Sequence, residues 1–100
     1  MQKHSRKLLV IIAEAAIERP LVADARRLGA MGYTVNEVHG GGAGGERSGE
    51  WEAERSVKLQ VVCTEEAADR IAEHVLERYG RHYGLVVYLS DVQVFRSEKF

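Results

Sequence analysis

The residues best equipped for chemistry lie between His39 and Arg55. Gly40, Gly41, Gly42, Gly44, Gly45 and Gly49 are six of the ten glycines in a chain of 100 residues, and Arg47 and Ser48 stand between the last two of these. Glycine lets a backbone come close to a ligand and turn successive N–H groups toward an anion. A guanidinium meets a phosphate with a planar fork of donors, and a serine hydroxyl adds another. The grouping is suited to a phosphorylated ligand, yet the same composition also makes a flexible connection with no ligand, and the residues alone leave both readings open. Gly40, Gly42 and Gly45 match G-x-G-x-x-G, but the segment leads into a strand rather than into the helix that a dinucleotide fingerprint opens. No Gly-Lys-Ser/Thr follows, so a Walker-type phosphate loop is excluded, and 100 residues cannot hold the remaining parts of a kinase.

Other reactive side chains have simpler explanations. Cys63, beside Val61 and Val62, reads as a small packed side chain rather than a nucleophile. His4, His39, His74 and His82 show no metal-ligand spacing, although His39 and His82 border the two loops of interest. Glu65 and Glu66 offset the positive end of a helix. Glu46, Glu50, Glu52 and Glu54 read as a solvated face, and Trp51 as an anchor for the loop, either on the loop itself or on a partner.

Length and composition narrow the classes further. One hundred residues, 45% hydrophobic and 29% charged, fit a single globular domain spanning 1–100. A domain of this size buries only about two thirds of its unfolded-chain surface, which makes oligomerisation a natural way to bury more. The net charge of -1 gives no overall field for nucleic acid or anionic lipid. One cysteine permits no intrachain disulfide and fits a reducing compartment. No run approaches the roughly 20 apolar residues of a membrane span, and the apolar stretch Leu8–Ala13 is too short for a signal sequence. The expectation is a cytoplasmic protein that does not bind nucleic acid.

The elements that must position the glycine segment follow from periodicity. Leu8–Ile12 is a continuous apolar run that suits a central strand covered on both faces. Pro20 marks the start of a helix, with Leu21, Val22, Ala25, Leu28 and Met31 along its apolar side and Gly29 and Gly32 ending it. Tyr33–Val38 alternates as a second strand and 57–63 as a third. Thr64 caps a second helix whose stripe is Ala68, Ile71, Ala72, Val75, Leu76 and Tyr79, closed by Gly80. Residues 85–95 form a fourth strand, and 96–100 a short polar tail. The order is β-α-β-β-α-β, an α+β ferredoxin-like fold with a four-stranded antiparallel sheet, two helices on one face, and a long loop at about 39–55 between strands 2 and 3.

Read together with its flanks, the loop is more specific. Gly29-Ala30-Met31-Gly32-Tyr33-Thr34-Val35 runs into Glu37, Gly40 and the glycine segment and ends in Arg47-Ser48-Gly49. With Val57-Lys58-Leu59, Ile71-Ala72-Glu73-His74-Val75 and Tyr83-Gly84-Leu85-Val86-Val87-Tyr88, this resembles the PII-like signalling proteins associated with carboxysomes and bicarbonate transporters, over nearly the whole chain. The resemblance implies a non-enzymatic homotrimer that needs no cofactor and has a nucleotide site in each cleft between subunits. It would bind ADP or AMP, with ATP or cyclic AMP as further candidates, and bicarbonate beside the nucleotide. By position, Gly40, Gly41 and Gly42 correspond to the base of the long loop (the T-loop), Arg47 to a phosphate-contacting arginine, and Ser48 to its neighbouring hydroxyl. Tyr83, Gly84, Leu85 and Val86 correspond to the short B-loop, whose backbone meets the nucleotide. Tyr33 and Thr34 would face the cleft from the neighbouring subunit, and Lys58 would meet the phosphate or bicarbonate. A bicarbonate transporter or a carboxysome component would be the partner of the T-loop.

The chain also departs from that pattern. Glycine stands near position 44, where transporter-associated members carry a second arginine, which favours a mono- or diphosphate over a triphosphate. The cysteine-flanked C-terminal extension of some relatives has no counterpart, so the redox control and weak hydrolysis tied to it are not expected. No tyrosine lies between His39 and Arg55, so uridylylation is not expected either. Two other classes share the fold: a CutA-like metal-binding trimer, and a weak nucleotide phosphohydrolase. The first needs clustered His or Cys ligands, and the second a positioned base beside Arg47.

Overall fold

The computed structural model describes residues 1–42, 45–47 and 55–100, with 45–47 as backbone. Strand β1 (His4–Glu14) leads through a 3-10 turn (Ala15–Ile17) into α1 (Glu18–Arg27) and then β2 (Thr34–Val38). A short ribbon, β3 (Gly40–Gly42) and β4 (Gly45–Arg47), precedes β5 (Ser56–Cys63), α2 (Glu65–Tyr79) and β6 (Val86–Val94). The four long strands form one sheet in the order β2-β5-β1-β6, with every neighbouring pair antiparallel. Leaving the ribbon aside, this is the β-α-β-β-α-β ferredoxin-like arrangement expected from periodicity. The ribbon is an addition, because the glycine segment carries no strand signal of its own.

Period-two alternation decides which side chains meet the helices. Leu9, Ile11 and Ala13 of β1 and Leu59, Val61 and Cys63 of β5 form the core with Leu21 and Ala25 of α1 and Ala67, Ile71, Val75 and Tyr79 of α2. Leu9, Ile11, Leu21, Leu59 and Ile71 are each at most 1% exposed, and burying a side chain of this size contributes about 1.5–3 kcal/mol. The first strand is longer than its apolar run: its pairing with β6 continues to His4, and Lys7 and Asp91, opposite each other in that register, form an ion pair.

The helix ends show how local sequence sets the boundaries. The Thr64 hydroxyl accepts a hydrogen bond from the Ala67 N–H at 3.2 Å, which satisfies one orphan donor at the start of α2. Helix α1 has no side-chain cap; Pro20 sits in its first turn, where no backbone donor is needed. Its end is built by Gly29, at φ +128°, and by Arg70, whose Nε donates to the Leu28 carbonyl at 3.2 Å. The helix therefore stops at Arg27, and Met31, expected on its apolar side, lies beyond it at 62% exposure. Leu76 also leaves the expected stripe. The residues facing the sheet step by four (Ala67, Ile71, Val75, Tyr79), and the adjacent row runs off the core from buried Ala68 to Leu76 at 49% exposure.

The opposite face of the sheet has no second layer among the described residues. Leu8, Val10 and Ile12 of β1, Val62 of β5, and Val86 and Tyr88 of β6 share that face by register. Val10 is 2% exposed, flanked by neighbouring strands, whereas Val86 and Tyr88 on the edge strand are 40% and 49% exposed.

Candidate functional site

The ribbon gives the glycine segment a definite register. Gly40 pairs with Arg47, Gly41 with Glu46 and Gly42 with Gly45. Arg47 therefore stands directly across from Gly40, with Cα atoms about 4.5–5.5 Å apart. A Cβ built on Gly40 would meet nothing within 4 Å among the described residues, so none of these requires glycine there. The base of the ribbon is held by an ion pair between Glu37 and Arg55 and by the Ala15 N–H, which donates to the Arg55 carbonyl at 2.8 Å. Sequence reasoning missed Arg55; a cation at the return of a loop, opposite Glu37 at its start, was the available signal. Ser48 and Trp51 lie outside the described residues.

The remaining site candidates are distributed across the sheet. Lys58 pairs with Asn36 on one side and Ile12 on the other, and Ile12 pairs with Val86. Lys58 and Val86 thus occupy one row on the helix-free face, two strand spacings or roughly 10 Å apart. Thr34 pairs with Gln60, placing it diagonal to Lys58 on the same face, about 7–8 Å away. Among the described residues Lys58 has no carboxylate partner, which leaves its charge for an anion. Ser56, on the same face at the ribbon base, is 2% exposed, and its hydroxyl finds no hydrogen-bond partner among the described residues. Tyr33 is 43% exposed with the Arg26 guanidinium 5.7 Å from its ring centre.

Tyr33 and Thr34 begin one edge strand, while Tyr83, Gly84, Leu85 and Val86 lead into the other. The two edges are three strand spacings apart, roughly 14 Å. One chain brings Thr34 and Lys58 together, and Gly40 with Arg47, but it does not bring Tyr33 or Thr34 to the loop before β6.

That loop is anchored from within. Its Tyr83 N–H and His82 N–H donate to the Tyr79 carbonyl at 3.0 and 3.2 Å, and the Leu85 N–H donates to the Tyr83 carbonyl at 2.9 Å. The Tyr83 ring meets Tyr79 edge-on at 6.3 Å, and so belongs to the core margin rather than to an open cleft. Three amide donors, those of His82, Tyr83 and Leu85, are thereby engaged inside the protein, and a ligand there would meet other backbone atoms.

Beneath the loop lies a buried charge that the sequence reading did not single out. Asp24 of α1 is 6% exposed and accepts from the Tyr79 hydroxyl at 2.8 Å, with His74 Nε2 at 3.1 Å and Arg78 Nη1 at 3.2 and 3.3 Å. Burial by itself would raise the Asp24 pKa, but the hydrogen bonds from Tyr79 and His74, together with the Arg78 charge, take it below the ordinary carboxylate value. Burial, and then the bond to Asp24, push the Tyr79 phenol up.

Comparison with known proteins places this arrangement. The family model described as nitrogen regulatory protein P-II matches residues 6–99. A PII-like signalling protein from Thermus thermophilus is 38% identical and superposes with a TM-score of 0.86, over 100% of this chain and 99% of its own. CPII from Thiomonas intermedia, solved with ADP and bicarbonate, is 26% identical with a TM-score of 0.87, over 99% of this chain and 97% of its own. A second CPII structure, bound to ADP, AMP and bicarbonate, is 25% identical with a TM-score of 0.86, over 99% of this chain and 96% of its own. The edge strands, the glycine ribbon and the anchored loop before β6 thus stand on a scaffold shared along the whole chain, and the protein belongs to the nitrogen regulatory protein P-II family.

Proposed function

We propose that this chain is a non-enzymatic, cytoplasmic signalling protein that binds ADP or AMP, with bicarbonate beside the nucleotide, at clefts between the subunits of a homotrimer. The observation that carries the reading is the superposition, over 99% of this chain, on a CPII structure bound to ADP and bicarbonate. The protein's own geometry supports it. Gly40 stands opposite Arg47 with open space where a side chain would be, which suits a backbone that a phosphate approaches closely. Lys58 offers a cation for a small anion on the helix-free face, next to the buried Ser56 hydroxyl, which has no partner among the described residues.

Two features of the sheet support the trimer. Its apolar helix-free face needs a second layer, and the candidate residues sit on opposite edges, so a neighbouring copy is required to assemble one site. The whole chain, 1–100, acts as the folded unit. Ordering the segment 39–55 around the ligand would change the surface offered to a partner, because a ligand shifts a conformational equilibrium by its differential affinity for the two states. The partner we infer is a bicarbonate transporter or a carboxysome component. A metal-binding reading has no observation in its favour, since no group of three or more His, Cys, Asp or Glu is placed to hold a metal among the described residues. A phosphohydrolase would need a base near Arg47, and Glu46 is the neighbour the ribbon offers, paired in register with Gly41.

The test is a thermal-shift series with AMP, ADP, ATP and cyclic AMP, each with and without bicarbonate, on the wild type, Gly40→Ala and Arg47→Ala. A ligand at 100 times its Kd adds about 2.7 kcal/mol to the folded state. Both variants should keep the unliganded melting temperature, because Gly40 has room for a methyl, and both should lose most of the ADP shift. Full ADP shifts in both variants would remove the ribbon from the site.

A further inference from the structure

We propose that Asp24, acting through the Tyr79 hydroxyl, is a positioning residue for the loop Tyr83–Val86, so that a buried carboxylate on α1 sets the shape of one wall of the nucleotide site. The inference rests on the nucleotide reading above and assigns a role to a network lying outside the site itself.

The connection is continuous. The Tyr79 hydroxyl donates to Asp24 Oδ2 at 2.8 Å, which fixes the tyrosine ring at the last turn of α2. The same residue supplies the carbonyl that receives the His82 and Tyr83 N–H groups, and its ring carries the edge of the Tyr83 ring. Tyr83 in turn receives the Leu85 N–H, one residue before Val86 enters β6. Between Tyr79 and the loop, Gly80 has no room for a side chain, since a Cβ there would press on the Leu76 carbonyl oxygen. The Gly80 N–H also donates to the Leu76 carbonyl at 3.0 Å, so a shift of Tyr79 reaches the loop through hydrogen-bonded backbone.

The charges around Asp24 suit a fixed acceptor. From α2 it is met by His74, Arg78 and Tyr79, and from its own helix by Arg27 at 3.6 Å. Both arginines are more than half exposed and can exchange water for the carboxylate. The Tyr79 hydroxyl is buried and has no such alternative, so losing its acceptor leaves it either unpaired or displaced toward the loop.

Three variants test the proposal: Tyr79→Phe, Asp24→Ala and Asp24→Asn. Asparagine keeps an acceptor for the hydroxyl, whereas alanine and the phenylalanine variant break the bond. Amide hydrogen exchange in the absence of nucleotide is the first readout. Losing one buried hydrogen bond should speed exchange at Tyr83 and Leu85 about five-fold beyond any change at Ile71 and Val75, which follow global stability, in Tyr79→Phe and Asp24→Ala, and by no more than that change in Asp24→Asn. The second readout is ADP affinity by calorimetry, which should weaken by a similar factor in the same two variants, because the loop is no longer pre-organised. Loop exchange that stays at the wild-type rate, or that rises only in step with Ile71 and Val75, overturns the proposal. So does faster loop exchange with unchanged ADP affinity. A wild-type protein that does not respond to ADP would sink the nucleotide reading alone, and the exchange comparison would still decide whether Asp24 holds the loop.

Discussion

Tyr88→Ser is the sharpest perturbation of the proposed trimer, because it removes apolar surface that the isolated chain does not use. Tyr88 is 49% exposed on the helix-free face of β6. A tyrosine buries about 150–250 Å², so about 100 Å² remain for a neighbouring copy to cover. At about 25 cal/mol per Å² this contributes about 2.5 kcal/mol per subunit, or about 2 kcal/mol after the side chain is ordered. Three copies raise the loss to about 6 kcal/mol in the trimer association constant, a little over four decades at one decade per 1.4 kcal/mol. The monomer concentration at half-assembly scales as the inverse square root of that constant, so the midpoint should rise about 100-fold. Sedimentation equilibrium across a concentration series measures it, with circular dichroism confirming the fold. Leu89→Ser is the control: Leu89 is 43% exposed on the same strand, but pairs with Leu9 and so faces the helix side. The reasoning fails if Tyr88→Ser assembles at the wild-type midpoint, or if Leu89→Ser shifts it as far.

Two further predictions concern stability. Gly29→Ala should lose about 1–3 kcal/mol in urea unfolding, because φ +128° is unfavourable for any L side chain and the new methyl would lie 3.1 Å from Ala67 Cβ. Gly32→Ala, with ordinary φ and nothing within 4 Å, should gain about 0.5 kcal/mol by restricting the unfolded chain. The Asp24 pKa lies lower in the folded protein than its ordinary value of 3.8, so its contribution is present above that value and is lost as pH falls through the folded pKa. Urea midpoints measured downward from about pH 5 should therefore fall more steeply in wild type than in Asp24→Asn. Above that range the variant should be less stable by about 1 kcal/mol, the difference between a charge-assisted and a neutral hydrogen bond. Parallel pH curves would show that the Asp24 charge is not held by its neighbours.

Signals that act over a few residues were legible in the sequence. The Thr64 cap, the stop at Gly80 and the alternation of β2 and β5 each depend on neighbours within one turn or one pleat, and the structure places them accordingly. Met31 shows the limit of extending a period: the spacing continues past Gly29, but the backbone does not, because positive φ turns the chain away. Asp24 shows a different limit. On α1 it has the pattern of a solvated charge, and only His74, Arg78 and Tyr79, some fifty residues away in sequence, make its burial tolerable. Family resemblance supplied the candidate site residues as expectations, and their placement on two sheet edges depends on strand order, which periodicity does not encode.

The first strand links the fold to the assembly. A half-buried strand alternates, but Leu8-Leu9-Val10-Ile11-Ile12 does not, and such a run is selected where both faces are covered. The helices cover Leu9 and Ile11; among the described residues the other face, with Leu8, Val10 and Ile12, has only the flanking strands of its own chain. The missing layer must be apolar and must recur with every copy of the chain, and a second copy satisfies both conditions without any further partner. In the proposed trimer the edge that carries Thr34 in one subunit would meet the edge that carries Val86 in another, whereas within a single sheet the two stay roughly 14 Å apart. On the proposed function, the oligomer and the ligand site are one structural requirement, so variants that dissociate the trimer should lose ADP binding at protein concentrations where the wild type keeps both.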